Sequence, residues 1–170
     1  MKIRAIILIM PLIFAGCTTE ATGIASAQKY REWIGEGSAW AKKTVITVDR
    51  SHAEIGKNWA ERSDACIDNS KLYSGRYNAN IFFKTKTLIS KQKAELHLQQ
   101  KIYAHRLTHS DKEPEDGFYA FVADAIVLTP NKSRIEINYK LGDEQIAAAV
   151  SNWATGKNMG CPDLTQNPYW

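Results

Sequence analysis

The chain has 170 residues, 44% of them hydrophobic, with five Trp, seven Tyr and five Phe to bury. That is one domain's worth with at most a tail or tether, enough for a self-sufficient core, and it excludes disorder over any great length. Net charge is +4 and drops to +2 once Lys2 and Arg4 are set aside; with no Lys/Arg cluster, nucleic acid is excluded as the main partner.

Met1 to Arg4 is short and basic, and Ala5 to Ala15 (AIILIMPLIFA) is apolar throughout. The apolar run is too short to cross a ~30 Å hydrocarbon core as a helix, but it suits the h-region of a secretory signal. Ala15 and Gly16 follow, and Cys17 comes directly after them. This arrangement resembles the lipobox of bacterial lipoproteins, with Phe14 where that family usually has Leu. The resemblance implies cleavage between Gly16 and Cys17, a diacylglyceryl group on the Cys17 sulfur and a fatty acyl group such as palmitate on the new amine. Thr18 is not the Asp of inner-membrane retention, so it implies the outer membrane, with the domain facing the periplasm or the cell surface. The alternative is an ordinary signal peptide with Cys17 as a free thiol. The expected division is a signal peptide over 1–16, a lipidated N-terminus and tether over 17–40, and one domain over 41–170.

Thr18 to Ala27 is small and polar and reads as tether. In "QKYREWIGEGSAW", Tyr30, Trp33 and Ile34 suggest a short helical turn. It is either a collar packed on the domain or an amphipathic foot on lipid headgroups; the collar is preferred because the apolar face is small. Lys43 to Arg50 alternates as a strand. Ser51-His-Ala-Glu54 is a capping box, opening a helix in which Ile55, Trp59, Arg62 and Cys66 recur at spacings of three and four. Gly56 inside that helix costs about 1 kcal/mol relative to Ala, so packing must hold it.

Asp68 to Ser70 ends the helix and Ser74-Gly75 marks a turn. Asn80 to Ile89 reads as a strand. Ala94 to Leu107 reads as a strand with Ala94, Leu96 and Leu98 inward and Glu95, His97 and Gln99 outward, although Ala94, Leu98 and Ile102 also suit a helix. His109 to Gly117 is a charged hairpin tip. Phe118 to Thr129 is apolar on both faces, as a covered central strand is. Arg134 to Lys140 alternates with Ile135, Ile137 and Tyr139 inward. Asp143 and Gly156 bracket a last helix with Ile146, Ala149, Val150 and Trp153 on its buried side.

Beyond Cys17 remain Cys66 and Cys161, an even pair in an oxidising compartment, so a disulfide between them is expected. Chain entropy assigns about 4–5 kcal/mol to a bridge closing so long a loop. The element order predicts an α+β domain: an antiparallel sheet of about five strands, with the Ser51-capped helix and the C-terminal helix packed on one face. It looks like the helix-grip arrangement of START-type lipid-binding domains, with four later strands instead of six and a shorter C-terminal helix. That resemblance implies an apolar ligand between sheet and helix.

Chemistry is sparse. If 96–110 is extended, His97, His105 and His109 share a face; if helical, His105 and His109 are one turn apart. Either could hold a transition metal, with Asp111 and Glu113 near, but exposed histidines on a polar strand are common and no metal or other cofactor is expected. No G-x-S-x-G, H-E-x-x-H or phosphate-cradling loop is present. Asp124, in the most apolar strand, is either functional through a raised pKa or a residue at the sheet edge or paired with Arg or Lys; the latter reading is the expectation. Trp33, Trp40, Trp59, Trp153 and Trp170 read as core and collar. The expected function is a membrane-anchored, non-catalytic binding domain for a protein partner or a hydrophobic or wall-derived ligand. The alternatives are an envelope hydrolase using Asp124 or the histidines, or a structural assembly factor.

Overall fold

The computed structural model describes residues 23–75, 78–104, 113–157 and 160–166. Its helices are α1 (Ala27–Gly35), α2 (His52–Cys66) and α3 (Glu144–Ala154). Its strands are β1 (Ala41–Val48), β2 (Lys71–Ser74), β3 (Ala79–Ile89), β4 (Lys93–Ala104), β5 (Phe118–Thr129) and β6 (Lys132–Lys140). All six strands form one antiparallel sheet in the order β1-β6-β5-β4-β3-β2. The fold is α+β, as expected, with one more strand than the five anticipated. The extra strand is β2, whose four residues are too few to show alternation. It pairs with Ala79 to Phe82 and forms one edge of the sheet.

The local signals act as their chemistry dictates. Ser51 Oγ accepts from the Glu54 amide while the Glu54 carboxylate accepts from the Ser51 amide, closing the capping box at the head of α2. Gly56 is buried, and a Cβ there would lie 2.8 Å from the Ala94 Cβ and from Ile89. The glycine that weakens the helix is thus what lets α2 lie close on β3 and β4. Ala94 to Ala104 is strand: Ala94, Leu96 and Leu98 are buried on the side of α2. Asp143 occupies the N-cap position of α3 but makes no capping hydrogen bond with its side chain, which differs from the expectation. At the other end Gly156 takes φ +83° just past the helix, the left-handed geometry that glycine adopts without strain.

Successive strand residues face opposite sides of a sheet, and both sides are used here. Phe121, Ala123, Ala125, Ile135 and Ile137 pack with Ile55 and Trp59 of α2 and Val150 and Trp153 of α3, so those two helices share one face. Trp59 Nε1 donates to the Val150 carbonyl at 3.0 Å, tying the two helices together. Val122, of the opposite parity, packs with Ala27, Tyr30 and Ile34 of α1. So α1 lies on the other face, where the Tyr30 hydroxyl donates to the Ala120 carbonyl. It is a collar on the domain. Its approach is packed as well: Tyr119 N–H donates to the Ile24 carbonyl at 2.9 Å, and Gly23 lies against the Phe118 ring. Trp40 departs from the expected core role, being largely exposed, while Trp170 lies outside the described residues.

Cys66 and Cys161 are joined as a disulfide with Cα atoms 5.1 Å apart. The bridge links the last residue of α2 to the segment beyond α3.

Candidate functional site

Two places on the α1 side of the sheet carry chemistry. The first is centred on Asp124, the carboxylate singled out from the sequence. It sits in the middle of β5 opposite Glu95 of β4 and Glu136 of β6 and is 4% exposed. Arg31 reaches down from α1, and its Nε and Nη2 each donate to Asp124 at 2.7 Å. The same Nη2 also donates to Glu95. Lys93 completes the cluster, 2.5 Å from Glu95 and 3.7 Å from Asp124. Two carboxylates buried side by side would repel strongly; two cations sharing them make the arrangement tenable. Lys93 and Arg31 hold the Glu95 carboxyl below its ordinary range against the opposing effect of burial.

Next along β4 on the same face is His97, 6% exposed, with its ring 5.5 Å from Tyr119 and Nε2 4.0 Å from Glu95. Among the described residues that nitrogen has no hydrogen-bond partner. Burial pushes the imidazole below the ordinary histidine value, and Glu95 pulls it part of the way back. The expectation that Glu95, His97 and Gln99 point outward is therefore corrected: they face away from the main core but are largely buried, Glu95 by Arg31 of α1, His97 beside Tyr119, and Gln99 in a hydrogen bond to the Gly117 carbonyl at 2.8 Å. Asn138 of β6 is buried on that face too.

The first place is thus a latch. Asp124 is engaged by a cation, and among the described residues its hydrogen-bond donor is Arg31 and no nucleophile. His105, His109 and Cys17 lie outside the described residues. His52 opens α2, with Nε2 2.9 Å from the Ser90 carbonyl, and Ser51 is occupied as the helix cap. Among the described residues no group of three or more His, Cys, Asp or Glu is placed to hold a metal ion.

The second place was not singled out from the sequence. Beyond the end of α1's cover, the same face of β2, β3 and β4 carries Tyr73, Phe82 and Tyr103, which are 61%, 37% and 44% exposed. Phe82 and Tyr103 meet edge to face with ring centres 5.3 Å apart. Lys71 lies 5.5 Å from the centre of the Phe82 ring and Lys101 5.8 Å from that of Tyr103, within reach of a cation–π contact. Asn80, Phe82, Lys101 and Tyr103 line an open depression of about 440 Å³. It adjoins a second of about 240 Å³ that Phe82 and Lys101 also line, with Glu115 and Asp116 on its rim. The cross-strand pairs Lys71–Phe82 and Phe82–Lys101 create this surface. The three strand segments are unremarkable apart, so only the register reveals it.

No family model and no curated protein matches this chain.

Proposed function

We propose that this protein is a lipid-anchored component of the bacterial cell envelope, held in the outer membrane through Cys17, and that its periplasmic α+β domain is a non-catalytic binding module. The observation that carries this reading is the shortness of the link. Gly23 and Ile24 already belong to the packed domain, and only six residue steps separate Gly23 from Cys17. A chain that long spans at most about 20 Å, so an acylated Cys17 would keep the domain at the bilayer surface. The Cys66–Cys161 disulfide suits an oxidising compartment and supports export. The engagement of Asp124 by Arg31 favours binding over hydrolysis, because two hydrogen bonds from the guanidinium already occupy both oxygens of the carboxylate. The exposed aromatic surface of β2, β3 and β4 is the binding face, suited to a hydrophobic or wall-derived ligand or to a protein partner.

The order of elements also supports a helix-grip-like reading: β1 pairs beside the last strand, and α3 closes on the sheet face that it shares with α2. In this chain Trp59 and Trp153 are fully buried in that layer, which favours a ligand on the outer surface over one beneath the helix.

The test is Cys17→Ser in the full chain expressed in a bacterium with two membranes. The unsubstituted chain is expected to begin at residue 17, to carry the mass of the lipid and to sediment with outer-membrane vesicles. The variant is expected to keep its first sixteen residues and lose the lipid mass. Identical masses and sedimentation for the two would end the reading.

A further inference from the structure

We infer that the aromatic surface formed by Phe82, Tyr103, Lys71 and Lys101 rests on the headgroup layer of the bilayer that holds the chain. The inference deepens the proposed function by naming the lipid headgroup layer as the hydrophobic ligand of that face, and it rests on the anchor at Cys17. Phe118, Gln100 and Phe83 form one row across β5, β4 and β3. Phe82 and Lys101, one step along, are paired with each other. Strands lie about 4.8 Å apart, so two strand spacings, about 10 Å, separate the backbones of Phe118 and Phe82, which lie in adjacent rows with side chains on opposite faces of the sheet. Gly23 lies against the Phe118 ring. The link to Cys17 therefore enters the fold at the end of the sheet that carries the exposed rings, and its reach of about 20 Å exceeds the distance between them.

The chemistry suits an interface between water and hydrocarbon. Tyrosine and other aromatic rings are favoured at headgroup depth, and lysine stems lie along apolar surface with the ammonium reaching phosphate. Phe82 supplies an apolar ring, Tyr103 and Tyr73 rings with a polar tip, and Lys71 a flanking cation, while the Lys101 ammonium also donates to the Glu115 carbonyl at 3.1 Å. Lys84 nearby is tied to Asp68 at 3.0 Å, and Glu115 and Asp116 line the adjoining depression, so the area as a whole is not strongly basic. Such a surface binds membranes weakly by itself. Tethering within about 20 Å raises its local concentration enough for weak contacts to orient the domain.

The experiment uses the full lipidated chain in mixed phosphatidylethanolamine and phosphatidylglycerol vesicles, with full-length Cys17→Ser in solution as reference. Hydroxyl-radical oxidation is read by mass spectrometry at Phe82, Tyr103 and Leu128, the last exposed near the opposite end of β5. Vesicle-bound chain is expected to lose reactivity at Phe82 and Tyr103 by about fivefold or more, as seating at the headgroup boundary demands, with Leu128 unchanged. Chain held on vesicles through Cys17 but fully reactive at Phe82 and Tyr103 overturns the inference and leaves the anchor standing. Equal protection of Leu128 also overturns it. Failure of the unsubstituted chain to join vesicles overturns the anchor, and the inference with it. Protection of the Cys17→Ser chain in solution by soluble wall fragments, or by raising its own concentration, assigns the surface to a glycopeptide or to a second copy and overturns the inference.

Discussion

Arg31 of α1 and Asp124 of β5, 93 residues apart, meet in two parallel hydrogen bonds of 2.7 Å on the face of the sheet opposite α2 and α3. Removing the cation alone leaves Asp124 buried beside Glu95. Arg31→Ala is therefore expected to cost about 3 kcal/mol, the order found when one partner of a buried pair is lost. Arg31→Met combined with Asp124→Leu is expected to recover most of that loss, because Lys93 still serves Glu95. Urea unfolding of these proteins at neutral pH, together with the singles Arg31→Met and Asp124→Leu, measures both. Losses in the double variant equal to the sum of those two singles would show that the two side chains do not act as a pair.

His97 sets a pH window. Its folded pKa is depressed by burial, so the unfolded chain binds the proton more readily than the folded one. The associated stability is complete above the unfolded value of about 6.5 and falls as pH drops through that value toward the folded pKa. The urea midpoint of the unsubstituted chain is expected to decline between pH 7 and pH 5, before the depressed carboxyl of Glu95 begins to matter. His97→Leu is expected to flatten that stretch of the profile. An unchanged slope would assign the proton to another group.

Gly56 and Gly35 make opposite predictions for one substitution. A helix interior ordinarily gains about 1 kcal/mol from Gly→Ala. At Gly56 the new methyl would press on Ala94 and Ile89 at 2.8 Å, so Gly56→Ala is expected to destabilise by about 1–3 kcal/mol through overpacking. At Gly35 nothing among the described residues lies within 4 Å of an added Cβ, and Gly35→Ala is expected to stabilise by about 0.5 kcal/mol. Thermal melts of the two variants decide the signs.

The disulfide closes a loop of sequence separation 95. Cys66→Ser with Cys161→Ser is expected to lower stability by about 2–5 kcal/mol. Reductant should lower the unsubstituted chain's stability and leave the variant's unchanged. Equal midpoints for oxidised and reduced protein would contradict the bridge.

What could be read along the chain was local. The Ser51–Glu54 box, the alternation of Ile135, Ile137 and Tyr139, and the left-handed turn at Gly156 are each decided within a few residues. The four-residue spacing of Tyr30 and Ile34 marks α1 as helical, but nothing near it announces a partner as distant as Asp124. Glu95, His97 and Gln99 look like solvent positions, because alternation tells two faces apart and says nothing of what is laid across the second, here Arg31 of α1, Tyr119 and the Gly117 carbonyl. The Phe82–Tyr103 surface depends on the register of β2, β3 and β4. Register arises from the assembled sheet, so a one-dimensional reading finds three separate strands and no surface.

The pairing of β1 with β6 joins residues 41–48 to residues 133–140. The first strand therefore has no hydrogen-bonded neighbour until nearly the whole chain is available, and the cross-link at Cys161 comes later still. Loops this long make closure of the sheet a late event. The neighbouring pairs from β2 through β6 join strands that follow one another along the chain and can form without β1, so the first strand in sequence is the last to be laid onto the sheet and seals one of its edges.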